Sequence, residues 1–207
     1  MRAFSIGLTG GIGSGKSTIA AMFHRRGAGI VDADALVHEV IAPGGVAIPA
    51  LREAFGTAAI ADDGGLDRAR MRALAFSDPQ ARQRLEAIVH PQVRVLSDER
   101  AAALAATAPY VMFVIPLLVE SGNWRERVRR VLVVDCSEAT QLARVCARPG
   151  MDAATAQAIM RTQATRQARL AAADDVLFNE APLAQLEACV AELHERYVAL
   201  ARDSGRG

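Results

Sequence analysis

"GLTGGIGSGKST", residues 7–18, follows the apolar run Ala3-Phe4-Ser5-Ile6-Gly7-Leu8 and leads into Ile19-Ala20-Ala21-Met22-Phe23. Its spacing is G-x-x-x-x-G-K-S, with Gly10, Gly15, Lys16 and Ser17 at the fixed positions. A strand before and a helix after is the setting in which this spacing holds a nucleotide phosphate; the competing reading is a glycine-rich turn with a chance lysine. Lys16 is the only lysine in the chain, and every other cationic side chain is arginine. A compact ammonium is thus kept at the one position where it must reach into a phosphate cage. Glycines bring successive backbone N–H groups against the β-phosphate, and the helix starting near Lys16 points its positive end at the same anion. The loop predicts ATP contacts from Gly10, Gly11, Ile12, Gly13, Ser14, Gly15, Lys16, Ser17 and Thr18. Lys16 bridges the β- and γ-phosphates in this reading, and the Ser17 hydroxyl is the candidate ligand for Mg²⁺.

Beyond the loop, five short runs have β character: 3–8, 29–32, 110–115, 131–135 and 175–178. The third and fourth are nearly continuous apolar segments, as expected of parallel strands covered on both faces. Helical signals alternate with them. Ser137 and Asp152 are candidate N-caps, and Leu183, Leu186, Val190, Leu193, Tyr197 and Leu200 mark a terminal helix packed on the sheet. The fold class expected is α/β, a five-stranded parallel sheet.

Two segments exceed what such a sheet requires. Residues 33–109 separate the second and third strands, where a crossover needs little more than a dozen. They carry turn signals at Pro43-Gly44-Gly45 and Asp62-Asp63-Gly64-Gly65, then helical runs at 66–76 and 79–106, the latter bent at Pro91. A helical lobe for a second substrate and a structural excursion both fit. The other segment, about 146–172, holds Arg148 and then Arg161, Arg166 and Arg169, which read equally as an anion-binding lid or a solvated face.

Composition narrows the classes. The chain has 207 residues, enough for one sizeable core, and a net charge of +1 gives no electrostatic case for nucleic acid or a polybasic membrane anchor. Cys136, Cys146 and Cys189 suit neither a disulfide framework nor a zinc site. The longest apolar run, Tyr110 to Val119, is interrupted by Pro116 and too short to span a bilayer. With no room for a signal peptide before the first strand, the reading is a cytoplasmic protein, a monomer or small homo-oligomer, with no membrane or nucleic-acid partner.

Ligands of open α/β sheets sit beyond the carboxyl ends of the strands. There the sequence places Asp32-Ala33-Asp34, Pro116-Leu117-Leu118-Val119-Glu120 and Asn179. Paired carboxylates beside a phosphate cradle suggest a metal ligand, a general base or both, although aspartates also end strands as turn formers. Asp135 ends the fourth strand, where a Walker B aspartate would stand, but Cys136-Ser137-Glu138 after it read more as a helix cap. His90, before Pro91, is either a substrate contact or a helix-surface histidine. His24, His38 and His194 have no partner pattern. A switch GTPase is excluded, because its N/T-K-x-D base-reading motif needs a second lysine. Another small-molecule kinase on the same scaffold stays open.

"LTGGIGSGKST", "VDADALVHEV", "HPQV", "VIPLLVE", "VLVVDCSEATQLARV" and "QATRQARLAAADDVLFN" together resemble the dephospho-CoA kinases, from residue 4 to about 197. The resemblance implies a P-loop NTPase core at 1–42, 108–145 and 173–207, a helical CoA-binding domain at 43–107 and a lid at 146–172. It implies ATP-dependent phosphorylation of the ribose 3′-hydroxyl of dephospho-CoA, the last step of coenzyme A synthesis, with Mg²⁺ carried by ATP. The family's catalytic aspartate matches Asp34, beside Lys16, and its ATP adenine contacts match Arg144 and Asn179. Asp32, His90, Leu117 and Glu120 are the candidate acceptor contacts, and Arg148, Arg161, Arg166 and Arg169 the lid arginines. The family commonly has glycine two residues after the asparagine, where this chain has Ala181.

Overall fold

The computed structural model describes residues 4–121 and 124–204. In chain order, β1 (Ser5–Thr9) leads through the glycine loop into α1 (Lys16–Arg25), and β2 (Gly29–Asp32) runs directly into α2 (Ala33–Ile41). Next come α3 (Ile48–Phe55), a 3-10 turn (Thr57–Ala59), α4 (Arg68–Ser77) and α5 (Pro79–Leu104). Then follow β3 (Val111–Val114), α6 (Leu118–Ser121), β4 (Arg130–Asp135), α7 (Glu138–Cys146), α8 (Ala153–Thr162), α9 (Arg166–Ala171), β5 (Asp175–Phe178) and α10 (Leu183–Ser204).

The chain divides into two compact units, Met1–Asp32 with Ala101–Gly207, and Ala33–Arg100. In the first, five parallel strands run in the order β2-β3-β1-β4-β5. β1 and β3 are buried along their whole length and β4 at every residue but Arg130, the pattern of strands covered on both faces. β5 alternates buried Asp175 and Leu177 with exposed Val176 and Phe178, as an edge strand does. β1 lies between β3 and β4, so the loop leaving its carboxyl end has neighbours on both sides.

On one face of the sheet, Ile19, Met22 and Phe23 of α1 pack with Leu186, Val190 and Tyr197 of α10 against Ile6, Leu8, Met112 and Leu132. Phe23 and Tyr197 stack with centroids 6.1 Å apart. Burying a side chain of that size contributes about 1.5–3 kcal/mol, so α1 is held firmly and its amino end is fixed with it. Tyr110 joins the same layer, its hydroxyl lying 2.9 Å from Nδ1 of His194, buried midway along α10. Burial pushes that imidazole below its ordinary pKa. The terminal helix thus forms where its apolar spacing predicts.

The second unit is helical. Leu66 pairs antiparallel with Ile60 around the Asp62–Gly65 turn, and the Leu66 N–H donates to Ile41 O at 2.9 Å. Helix α4 begins only after this bridge, because Asp67 caps it by accepting the Arg70 N–H at 2.9 Å. Pro91 lies inside α5, which runs unbroken through it from Pro79 to Leu104. The unit is built around Leu51, Met71, Ala81, Val89 and Val93. Its bounds differ from the expected 43–107: residues 33–42 belong to it and 101–107 belong with the sheet. No described helix is long and apolar enough to cross a membrane.

Candidate active site

The loop between β1 and α1 carries the phosphate-binding geometry. Gly13 and Gly15 have φ of 74° and 93°, a region that costs an L side chain strain. At Gly15 space is lacking as well: an added Cβ would stand 2.1 Å from Asn179 Nδ2. Gly15 is also the N-cap of α1 and supplies no side-chain hydrogen bond. The first N–H groups of α1 are left for an anion, at the positive end of the helix. Lys16 Nζ donates to Gly10 O at 2.8 Å and to Gly11 O at 3.0 Å, curling its ammonium over the loop. Ser14 Oγ is buried and has no hydrogen-bond partner among the described residues.

Arg144 and Asn179 come together beside this loop. Asn179, 6 % exposed, donates from Nδ2 to Ser14 O at 2.6 Å, and its backbone N–H donates to Asp135 O at 2.7 Å. Arg144 Nη2 donates to Asn179 O at 2.9 Å. An added Cβ on Gly15 would also lie 3.9 Å from Arg144 Nη1, which puts the guanidinium at the loop. Ala181, two residues after Asn179, takes no positive φ, like every other described non-glycine residue.

The segment 146–172 is tied to the loop at several points. Arg161, Arg166 and Arg169 line a cavity of about 320 Å³ together with Gln141, Gln163 and Glu138. Gln163 Oε1 accepts the Ile12 N–H at 2.9 Å, and Glu120 Oε1 accepts the Ala164 N–H at 2.7 Å. Arg169 is buried and donates through Nη1 to Ala164 O. An added Cβ on Gly11 would meet Arg169 Nη2 at 3.0 Å and Gln141 Oε1 at 2.6 Å. Arg166 makes a forked pair with Asp135, through Nε to both carboxylate oxygens at 3.0 Å and Nη2 to Oδ2 at 2.7 Å. Its guanidinium also lies 5.6 Å from the Phe178 ring centroid. Asp135 is therefore an ion-pair partner. The cap of α7 is Ser137, whose hydroxyl accepts the Thr140 N–H at 3.2 Å. Arg148 is exposed beyond the end of α7 and does not line the cavity.

The remaining candidates are more dispersed. Asp32 ends β2, and Asp34 is exposed in the first turn of α2. Leu117 is half-exposed just before α6, and His90 is exposed on α5 in the helical unit. Sequence reading missed Gln141, Gln163 and the Asp135 pairing. Position was the available signal: Gln163 lies between Arg161 and Arg166, and Gln141 between Ser137 and Arg144.

No group of three or more His, Cys, Asp or Glu residues among those described is arranged to hold a metal. The donors present fit a hard cation that arrives with a nucleotide. Ser17 sits one residue after Lys16 on the uncapped first turn of α1, and such a cation keeps water and phosphate oxygens as its other ligands.

Comparison with known proteins gives the family and the fold. A family model described as dephospho-CoA kinase matches residues 4–185. A dephospho-CoA kinase of Burkholderia lata is 56% identical over 199 residues, covering 96% of this chain and 98% of that one. A crystal structure from Thermus thermophilus superposes with a TM-score of 0.82 at 37% identity, covering 94% of this chain and 98% of its own. A dephospho-CoA kinase from Campylobacter jejuni gives 0.67 at 22% identity, covering 94% and 97%, and shows the same fold.

Proposed function

The chain belongs to the dephospho-CoA kinase family, and on that premise we propose how its residues divide the transfer of a phosphoryl group from ATP to dephospho-CoA. It is a P-loop phosphotransferase of coenzyme A biosynthesis. In our reading the acceptor atom is the ribose 3′-hydroxyl. The N–H groups of Gly13 to Ser17 and the Lys16 ammonium hold the β- and γ-phosphates. Mg²⁺ carried by ATP would be held by the Ser17 hydroxyl and phosphate oxygens, and supplies neutralising charge across the transferring group.

Asp34 accepts the proton of the acceptor hydroxyl as its oxygen attacks the γ-phosphorus. The bond to the β,γ-bridging oxygen breaks, and ADP leaves. A ribose hydroxyl is a weak nucleophile, so a carboxylate that also orients it for in-line attack is the economical solution. Arg144 and Asn179 carry the adenine. Arg161 and Arg169, with Arg148 closing from outside, stabilise charge on the phosphates and exclude water. Asp32, His90, Leu117 and Glu120 serve the acceptor side, the helical unit Ala33–Arg100 being the acceptor lobe and residues 146–172 the lid. The protein works in the cytoplasm as a monomer or small homo-oligomer; the unbridged Cys136, Cys146 and Cys189 agree with a reducing compartment.

One observation carries the reading: the arginine-bearing segment is bonded to the phosphate loop itself, through Gln163 and Ile12. The test is ADP release with Mg·ATP across dephospho-CoA, AMP, CMP and shikimate. Dephospho-CoA should turn over and the others should be inert; turnover confined to another acceptor would overturn the assignment.

A further inference from the structure

The turn after β5 grips α7 at two places. Asn179 O accepts from Arg144, and the next residue, Glu180, reaches the amino end of the same helix. Glu180 Oε1 accepts three hydrogen bonds, from Ser137 N at 2.9 Å, Ser137 Oγ at 2.6 Å and Thr140 Oγ1 at 2.6 Å. Ser137, Thr140 and Arg144 follow i, i+3 and i+7 spacing, which places them along one stripe of α7. Two consecutive residues of the turn therefore hold two successive levels of a single helix face.

We propose that Glu180 is a positioning residue of the nucleotide site. By clasping the first turn of α7, it fixes the Arg144 guanidinium against Asn179 and so sets the platform for the adenine ring. The proposal rests on the adenine role given above to Arg144 and Asn179.

Three further observations support it. The Asn179 side chain has no slack, being 2.6 Å from Ser14 O and in the space a Cβ on Gly15 would fill. A shift of the turn is thus passed directly to the phosphate loop. Arg144 meets the turn by donating to Asn179 O, so its height along the turn depends on where α7 begins. The donors around Glu180, the Ser137 and Thr140 hydroxyls first, hold its carboxyl down to about 2, so the clasp is charged at every physiological pH. A carboxylate at a helix amino end is also favoured by the helix dipole.

The experiment compares Glu180→Ala, Glu180→Gln and Arg144→Ala with the unaltered protein, by steady-state kinetics with ATP and GTP and by thermal unfolding. Glu180→Ala should raise KM for ATP about tenfold, as for a lost charge-assisted bond, with kcat and KM for dephospho-CoA unchanged and the ATP-over-GTP preference narrowed. Glu180→Gln keeps an acceptor oxygen and should fall between. If Arg144→Ala raises KM for ATP but neither Glu180 variant does, even with a lowered Tm, Glu180 is only a helix cap and the proposal fails. If Arg144→Ala also leaves KM for ATP unchanged, the adenine platform itself is wrong and the proposal falls with it. Equal rises in KM for both substrates would likewise overturn it.

Discussion

Arg166→Ala isolates the ion pair that anchors the arginine segment to the sheet. The Asp135 side chain is 2 % exposed and Arg166 38 %. Removing one partner of a fully buried pair costs about 3–5 kcal/mol, because the other charge is left without compensation. Arg166 is more than a third exposed, so water reaches the gap and screens much of that loss. In a chain of this length each 1 kcal/mol lost moves Tm by about 2–4 °C, so the expected fall is a few degrees. Asp135→Asn should cost less, about 1 kcal/mol, since the freed guanidinium can turn to solvent. The double variant should melt above Arg166→Ala, because its buried carboxylate is gone. Calorimetry on the four proteins gives the coupling, and kcat on the same samples separates anchoring from charge stabilisation. If Arg166 only anchors, kcat falls alike in Arg166→Ala, Asp135→Asn and the double variant; if its charge also acts on the phosphates, kcat is lower in the two variants lacking Arg166 than in Asp135→Asn. A Tm for Arg166→Ala within about 1 °C of the parent, or strictly additive losses, would refute the assignment.

Lys16→Ala should lower kcat by at least about 10²–10³-fold at unchanged Tm, and Lys16→Arg should rescue poorly, because a planar fork does not fit a cage shaped for an ammonium. Asp34→Asn should lose about 10²–10⁴-fold in kcat with nucleotide affinity near normal, measured by single-turnover kinetics and ATP titration; retention of a third of kcat would place the base elsewhere, with Glu120 next to test. His194 has its pKa depressed by burial, so the unfolded chain takes up the proton first: its contribution is complete above about 6.5 and is lost as pH falls through the lower folded value. Denaturant midpoints between pH 7.5 and 5 should show that slope, and His194→Gln should flatten it.

The strands were legible because they are short apolar runs set off by turn residues. The expected 29–32 and 175–178 coincide with β2 and β5, and 3–8 with β1 shifted by a residue or two. Caps were legible for a related reason, their chemistry being local: Ser137 accepts Thr140 N and Asp152 accepts Thr155 N, each three residues on. Helix α2 was hidden because β2 passes into it at Ala33 with no intervening loop, while Asp32-Ala33-Asp34 reads as turn formers. Pro91 lies inside α5, which continues through it with Val89 and Val93 buried on either side. The pairings that organise the site were out of reach for a plainer reason. Gln163 meets Ile12 across 151 residues and Arg166 meets Asp135 across 31, and no local periodicity encodes either.

The chain has a single side-chain amine, and it sits 2.8 Å from Gly10 O inside the phosphate loop. Acylation of lysine in this protein, whether by a reagent or by a metabolic acyl donor, therefore has one address and removes the one charge that chemistry at the loop depends on. The arginines elsewhere keep their charge through the same treatment, because a guanidinium stays protonated. With ATP held at the loop as proposed, that nitrogen would be covered, and the acylation rate would then count the fraction of molecules carrying ATP, with no tag or substitution in the chain.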